Sequence, residues 1–255
     1  MSAISPAVDL SITGHLATLI LNIPTRHNAL DGDNIRQVCE HLATVAANPE
    51  VRVLIITGSG DKTFCAGAAL DQLGSGAIDG DRFTDMTDRI AAMRIPTIAA
   101  FNGSAYGGGS EIGLACDFRI GIEGMRVFVP PARIGLCYPV RGIERFVNTL
   151  GLTTAKRLLV ASEEFNAEQL LAIGYLTQLV SRAELPGAVD ALAQRLAGYA
   201  PLAVQAMKAI CQQVASIDYD RQSAIALAKA CNNSEDLQEG LQAQKDKRPP
   251  VFQGK

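Results

Sequence analysis

The stretch that decides the fold is Thr97-Ile98-Ala99-Ala100-Phe101-Asn102-Gly103-Ser104-Ala105-Tyr106-Gly107-Gly108-Gly109-Ser110-Glu111. It reads as a buried strand, a glycine loop and the start of a short helix, and Phe118 to Ile122 supplies a further strand. Upstream, Val53-Leu54-Ile55-Ile56-Thr57 has no polar alternation, the pattern of a strand covered on both faces. Ahead of it Ile35, Val38, Cys39, Leu42, Val45 and Ala46 recur at three- and four-residue intervals. They form one apolar stripe on a helix that runs from Asp31 to near Asn48-Pro49. Two extended runs, Val8 to Thr13 and Leu16 to Leu21, open the chain as a hairpin around Gly14. Covered strands alternating with helices argue an α/β fold with largely parallel pairing.

Beyond Pro139 helical segments dominate: 141–150, 153–161, 167–173, 186–197 with proline in its first turn, and 201–214. The last carries Val204, Met207, Ile210, Cys211 and Val214 on one face. A final helix spans 235–245, with Ser234 as its N-cap. The expected division is an α/β core over residues 1–185 and a helical region over 186–255, free to pack on the core or on a neighbouring subunit.

The 255 residues are 48% hydrophobic and 19% charged, which places the chain among globular proteins and excludes disorder. Twenty-three Lys and Arg stand against 26 Asp and Glu, so no basic footprint for nucleic acid or a membrane surface is present. Neither a bilayer span nor a signal peptide is visible, and a cytoplasmic location is expected. The six cysteines lack any CxxC pair and read as reduced, mostly buried thiols rather than as a zinc or disulfide framework.

Two connections are richer in glycine than a passage from strand to helix needs: Thr63-Phe64-Cys65-Ala66-Gly67-Ala68-Ala69-Leu70, and Asn102 through Glu111. Such residues permit tight strand–helix packing. They also let a ligand approach the main chain and leave the first N–H groups of a helix pointing outward. One donor from each loop would hold a single oxygen that becomes negative during reaction. Glu111, in the first turn of the helix, either compensates the helix dipole or acts as general base and acid beside that oxyanion cradle.

The run from Arg94 through Gly103, Gly107-Gly108-Gly109-Ser110-Glu111 and Cys116-Asp117-Phe118-Arg119-Ile120 resembles the signature of the enoyl-CoA hydratase/isomerase (crotonase) superfamily. So do Asn22-Ile23-Pro24 through Asn28-Ala29-Leu30, Phe64-Cys65-Ala66-Gly67-Ala68, the Pro201-Leu202-Ala203 helix with Lys208, and the ending Ser234-Glu235-Asp236 through Lys247-Arg248. The resemblance covers nearly the whole chain. It implies a spiral of ββα units, a C-terminal helical trimerisation region, and homotrimers or hexamers. It implies an acyl-CoA thioester as substrate, coenzyme A being part of the substrate and no metal or separate cofactor being required. By the same resemblance, the amides of Ala68 and Gly108 bind the thioester oxygen and Glu111 is a catalytic acid–base. Arg26 then contacts the nucleotide end of coenzyme A, Ala66 meets the adenine with its main chain, and Lys208 offers a phosphate partner.

One departure bears on the reaction. Where hydratases of the family place a second glutamate, this sequence has Pro131, which has no proton to give. One carboxylate can still shuttle a proton between carbons, as in double-bond isomerisation, or protonate the enolate left by decarboxylation. Glu123 and Glu144 read as surface residues, Tyr138 as a hydroxyl at the pocket edge, and Asp117 as a pin for the turn before its strand. Ala69 stands where many relatives carry Asp. Two other classes compete: a serine hydrolase using Ser104 or Ser110, which lacks a GxSxG elbow and a placed histidine, and a catalytically retired acyl-CoA-binding protein.

Overall fold

In the computed structural model, which describes residues 6–69, 80–215 and 220–255, the opening hairpin forms as the sequence predicts. Strands β1 (Val8–Thr13) and β2 (Leu16–Leu21) pair antiparallel, and Gly14 turns between them at φ +57°. Asp31 caps α1 (Gly32–Ala47): its carboxylate accepts from the Asn34 N–H, and the Asn34 side chain accepts from the Asp31 N–H in return. This reciprocal cap satisfies two donors that the helix start leaves open. Ile35, Val38, Leu42 and Val45 are the buried face of the helix.

From here the chain repeats one move three times: a strand in a large sheet, a short strand in a small sheet, then a helix. The first round is β3 (Val53–Gly58), β4 (Thr63–Cys65) and α2 (Gly80–Ala91). The second is β5 (Thr97–Phe101), β6 (Ser104–Tyr106) and α3 (Gly108–Ala115). The third is β7 (Phe118–Ile122), β8 (Arg126–Phe128) and α4 (Val140–Leu159). This is the expected α/β spiral of ββα units. β9 (Phe165–Asn166) and β10 (Gln178–Val180) complete the sheets, which run β1-β2-β3-β5-β7-β10 and β4-β6-β8-β9. The large sheet is parallel from β2 onward, and in the small one β9 alone is antiparallel to its neighbour.

The strands read as covered are covered. Leu54, Ile56, Ile98, Ala99, Phe101 and Ile120 are all buried, and each large aliphatic or aromatic side chain among them stabilises the fold by about 1.5–3 kcal/mol relative to exposure. The small sheet was invisible in the sequence, because strands of two or three residues carry no measurable periodicity.

The helical part divides in two. After α5 (Ala167–Ala172), α6 (Leu185–Ala197) sends Leu185, Val189, Leu192 and Ala193 into the same core as the strands. The division expected at residue 185 therefore falls at the start of a helix that packs on the sheet. By contrast α7 (Pro201–Ala215) buries Ala206 alone, and Met207 and Val214 on its apolar face stay more than half exposed. α8 (Arg221–Asn232), which the sequence reading missed, and α9 (Glu235–Asp246), capped by Ser234 as predicted, end the chain. The two segments read at 141–150 and 153–161 are halves of α4, which breaks at Gly151 (φ +78°, ψ 159°). Among the described residues no helix is long and apolar enough to cross a membrane.

The cysteines correct one expectation. Cys65 and Cys116 are buried, Cys39 is half-buried, and Cys137 and Cys211 are exposed, so among the five described thiols two are interior. Burial pushes the thiols of Cys65 and Cys116 up to about 12.

Candidate active site

Parallel pairing of β4 with β6, Thr63 opposite Ser104 and Cys65 opposite Ala105, releases the two glycine connections at the same end of the small sheet. They then pack against each other. A Cβ on Gly67, whose φ is +84°, would lie 2.7 Å from the nitrogen of Gly108, and one on Gly109 would lie 2.0 Å from the carbonyl oxygen of Cys65. A side chain at either position would push the connections apart, so these glycines serve close packing. On one side the Leu30 N–H donates to Gly67 O at 2.9 Å and the Ala69 N–H to Leu30 O at 2.9 Å, which passes over Ala68. On the other, the Gly107 N–H donates to Phe128 O at 2.9 Å, and Gly108 opens α3. Among the described residues neither the Ala68 nor the Gly108 amide donates to a backbone or side-chain acceptor. Both residues line one cavity of about 540 Å³, well within the range of small-molecule sites.

Glu111 lies in the first turn of α3, lines that cavity and is 1% exposed. A carboxylate so buried must be compensated, and three elements converge to do it. From α2 the Thr87 hydroxyl donates to Oε1 at 2.8 Å, and from the loop before α4 the Tyr138 hydroxyl donates to Oε2 at 2.7 Å. From α4, Nε of Arg145 stands 3.6 Å from Oε1. The positive end of α3 adds a favourable field. Burial, and then the adjacent Glu111 carboxylate, push the Tyr138 phenol well above its ordinary value, so this hydroxyl stays protonated and serves as a donor. The result is a buried carboxylate with unused lone pairs beside two free amides, a set that can move a proton next to a developing oxyanion.

Comparison with known proteins agrees with this geometry. A profile of the enoyl-CoA hydratase/isomerase family matches residues 11–255. The chain belongs to that family. It is 34% identical over 244 residues to a crotonyl-CoA hydratase of Syntrophomonas wolfei subsp. wolfei, covering 93% of this chain and 94% of that one. It is 32% identical over 262 residues to a carnitinyl-CoA dehydratase of Salmonella paratyphi B, covering 98% and 100%. Among solved structures, the enoyl-CoA hydratase from Bacillus anthracis superposes with a TM-score of 0.88 at 27% identity over 98% of this chain and 100% of that one. The protein is thus an enzyme of the hydratase/isomerase family with the expected fold.

In this family member the other expected site residues fare unequally. Ala66 lines the cavity, its N–H donating to His27 O at 3.0 Å. Pro131 also lines it, opening the short 3-10 turn Pro131–Ile134, so the wall brings no second glutamate there. Asp81 is the other acid on the described lining and is exposed at the surface. Glu123 and Glu144 are exposed, as read from the sequence. Arg26 does not line the cavity: it ends the 3-10 turn Pro24–Arg26 and pairs with Asp31 at 3.3 Å. Lys208 is placed differently from the expectation. Its side chain is 8% exposed, its ammonium donates to Asp117 Oδ2 at 2.7 Å and to Ile95 O at 2.9 Å, and it is not among the described lining of the cavity. Asp117 also accepts from the Thr97 N–H and hydroxyl, and so pins the turn as predicted.

The hydrolase reading does not survive. Ser110 Oγ donates to Gly107 O, Ser104 Oγ accepts from the Arg126 N–H, and the ring nitrogens of His15, His27 and His41 bond to Glu50 O, Thr63 Oγ1 and Val8 O. Thr87 and Arg145 are contributors that sequence reasoning missed. The one available signal was Thr84 and Thr87 at i and i+3 on the face of α2 that also carries Phe83, Met86 and Ile90; all five are buried. Polar residues on an apolar face ask for a partner.

Proposed function

We propose that the protein is a hydratase-type lyase acting on a 2-enoyl-CoA thioester, through an enolate whose oxygen is held by the Ala68 and Gly108 amides. The observation that carries this reading is that Ala68 and Gly108, whose amides have no acceptor among the described residues, line the cavity that Glu111 also lines. Glu111 takes a proton from water as the water oxygen bonds to the β carbon. The electron pair of the double bond moves onto the thioester oxygen, where the two amides stabilise it; loss of one such donor costs about 3 kcal/mol of barrier. Glu111 then returns the proton to the α carbon and the carbonyl reforms. The proton accepted is the proton delivered, so one carboxylate completes the addition although Pro131 replaces a second acid. Thr87 and Tyr138 keep the carboxylate oriented through both transfers.

Coenzyme A enters as part of the substrate. Its nucleotide end meets the main chain of Ala66 and the loop of Arg26, which the Ala66–His27 hydrogen bond ties together. The half-open apolar face of α7 supports assembly as a trimer or hexamer. The relatives named for hydrating or dehydrating CoA thioesters support the reaction class.

Pro131 also favours a second reading, in which Glu111 carries a proton from the α to the γ carbon of a 3-enoyl-CoA. Decarboxylation fits less well. The charged side chains on the described lining are Asp81 and Glu111, so a second substrate carboxylate would meet like charge there. Purified protein is given crotonyl-CoA and, separately, a 3-enoyl-CoA, and the absorbance of the conjugated thioester is followed. Loss of absorbance with the first supports hydration, and gain with the second alone makes the enzyme an isomerase. Turnover of neither, with acyl-CoA still bound, makes it a retired binding protein and overturns the proposal.

A further inference from the structure

We propose that Arg145 is a positioning residue for Glu111, held just short of a hydrogen bond by Asp88, so that the carboxylate is compensated in charge yet keeps acceptor sites for the substrate. The inference rests on the role given to Glu111 above. Three observations lead to it. Nε of Arg145 is a buried donor with no hydrogen-bond partner, and a buried donor left unpaired calls for an explanation. It lies 3.6 Å from Glu111 Oε1, beyond hydrogen-bond range. The other end of the guanidinium is engaged, Nη2 donating to Asp88 Oδ1.

Asp88 is itself fixed. Its Oδ2 accepts from Arg141 at 2.6 Å, and Arg141 also donates to Asp85 at 2.6 Å. Asp85 and Asp88 stand one turn apart on α2, and Arg141 and Arg145 one turn apart on α4, so the four side chains make two rungs between the helices. The ladder runs from solvent, where Asp85 is 59% exposed, to the interior, where Arg145 is 13% exposed and Glu111 1%. An unrestrained arginine closes on a carboxylate with two parallel hydrogen bonds. Here that closure would occupy lone pairs of Glu111 beyond the two already taken by the Thr87 and Tyr138 hydroxyls, and a carboxylate has only about four such sites. With Asp88 sharing the guanidinium, Glu111 gains a nearby positive charge without losing those sites. The titratable and charged groups arranged around Glu111 are Tyr138 from the loop, Arg145 and Arg141 from α4, Asp88 and Asp85 from α2, and Tyr175, which bonds to Ser110 O on α3 itself.

The test uses the full-length protein, the thioester that it turns over, and three variants: Arg145→Met, Arg145→Lys and Asp88→Asn. Arg145→Met is expected to lower kcat about 100-fold, the scale of a displaced general base, with KM within about threefold. Arg145→Lys recovers most of the loss. Asp88→Asn releases Arg145 onto Glu111, so kcat falls while KM stays within about threefold. Should Arg145→Met fail to fold, the kcat and KM of Asp88→Asn and Arg145→Lys carry the test. Losses in kcat that follow melting temperature alone, or that Arg145→Lys does not recover, make the ladder a structural clasp and overturn the inference. Wild-type protein that turns over no thioester instead sinks the hydratase reading on which it stands.

Discussion

Two carboxylates frame the short helix α3, and the protein treats them in opposite ways. Asp117, just past its end, takes the Thr97 N–H, the Thr97 hydroxyl and the Lys208 ammonium on a single oxygen, at 2.8, 2.9 and 2.7 Å. Glu111, in its first turn, takes two neutral hydroxyls, one per oxygen, and keeps its arginine at 3.6 Å. Asp117 is committed through Oδ2 to a full charge and a backbone donor, so it locks β5 to the turn that leads into β7. Glu111 is more deeply buried and yet less committed, and of the two it alone opens on a cavity. Burial therefore does not separate a structural acid from a reactive one; a closed ion pair on one side and access to a cavity on the other do.

The strongest way to break this comparison is Glu111→Gln. The amide fills the same space and can still bond to Thr87 and Tyr138, so the fold and acyl-CoA affinity should hold within a few fold. Turnover should fall about a thousand-fold or more, near the upper range for a general acid–base. Steady-state kinetics beside a direct acyl-CoA titration decide it: unchanged turnover would remove Glu111 from the chemistry and leave two structural carboxylates.

Lys208→Met probes the other acid. Breaking a buried ion pair costs 3–5 kcal/mol when no solvent reaches it. Here Lys208 is 8% and Asp117 22% exposed, so about 2 kcal/mol of stability is the expected loss, discounted for that access. That corresponds to a fall in melting temperature of about 4–8 °C for a chain of this size. Turnover per folded molecule should match wild type. A raised KM at unchanged melting temperature would instead return Lys208 to the substrate.

The same contrast marks how much could be read before any coordinates. The long covered strands, the capped α1 and the two glycine connections were legible, because each declares itself within a few consecutive residues. Glu111 was legible as a candidate by its place in the helix that the glycines open. Its environment was not, because Thr87, Tyr138 and Arg145 come from three separate segments that only the folded chain brings together. Lys208 was misplaced for the same reason: a lysine on an amphipathic helix shows nothing in sequence of an aspartate 91 positions earlier. The small sheet, whose pairing of β4 with β6 sets the two connections side by side, left no periodic trace.

The smallest expected effect, and the finest test of the contrast, is Tyr138→Phe. The ring packs edge-on against Phe146 at 5.7 Å between centroids, and phenylalanine keeps that contact, so the fold should be unchanged. What is lost is one neutral donor to Oε2. Hydrogen bonds to charged groups are worth about 1.5–3 kcal/mol, but part of this returns as water or substrate takes the freed lone pair, so turnover should fall about tenfold rather than collapse. The pH profile separates orientation from acid catalysis. Burial and the Glu111 charge raise the Tyr138 phenol above its usual value, so between pH 6 and 9 it does not titrate. The stability it contributes is complete below about pH 10, where the unfolded phenol begins to ionise, and declines above it. Wild type and Tyr138→Phe should accordingly both lack an alkaline limb from residue 138 below pH 9 and differ in height there. An alkaline limb below pH 9 that vanishes in the variant would show Tyr138 giving up its proton during turnover. Tyr138 would then supply the second acid in place of the glutamate that Pro131 displaces.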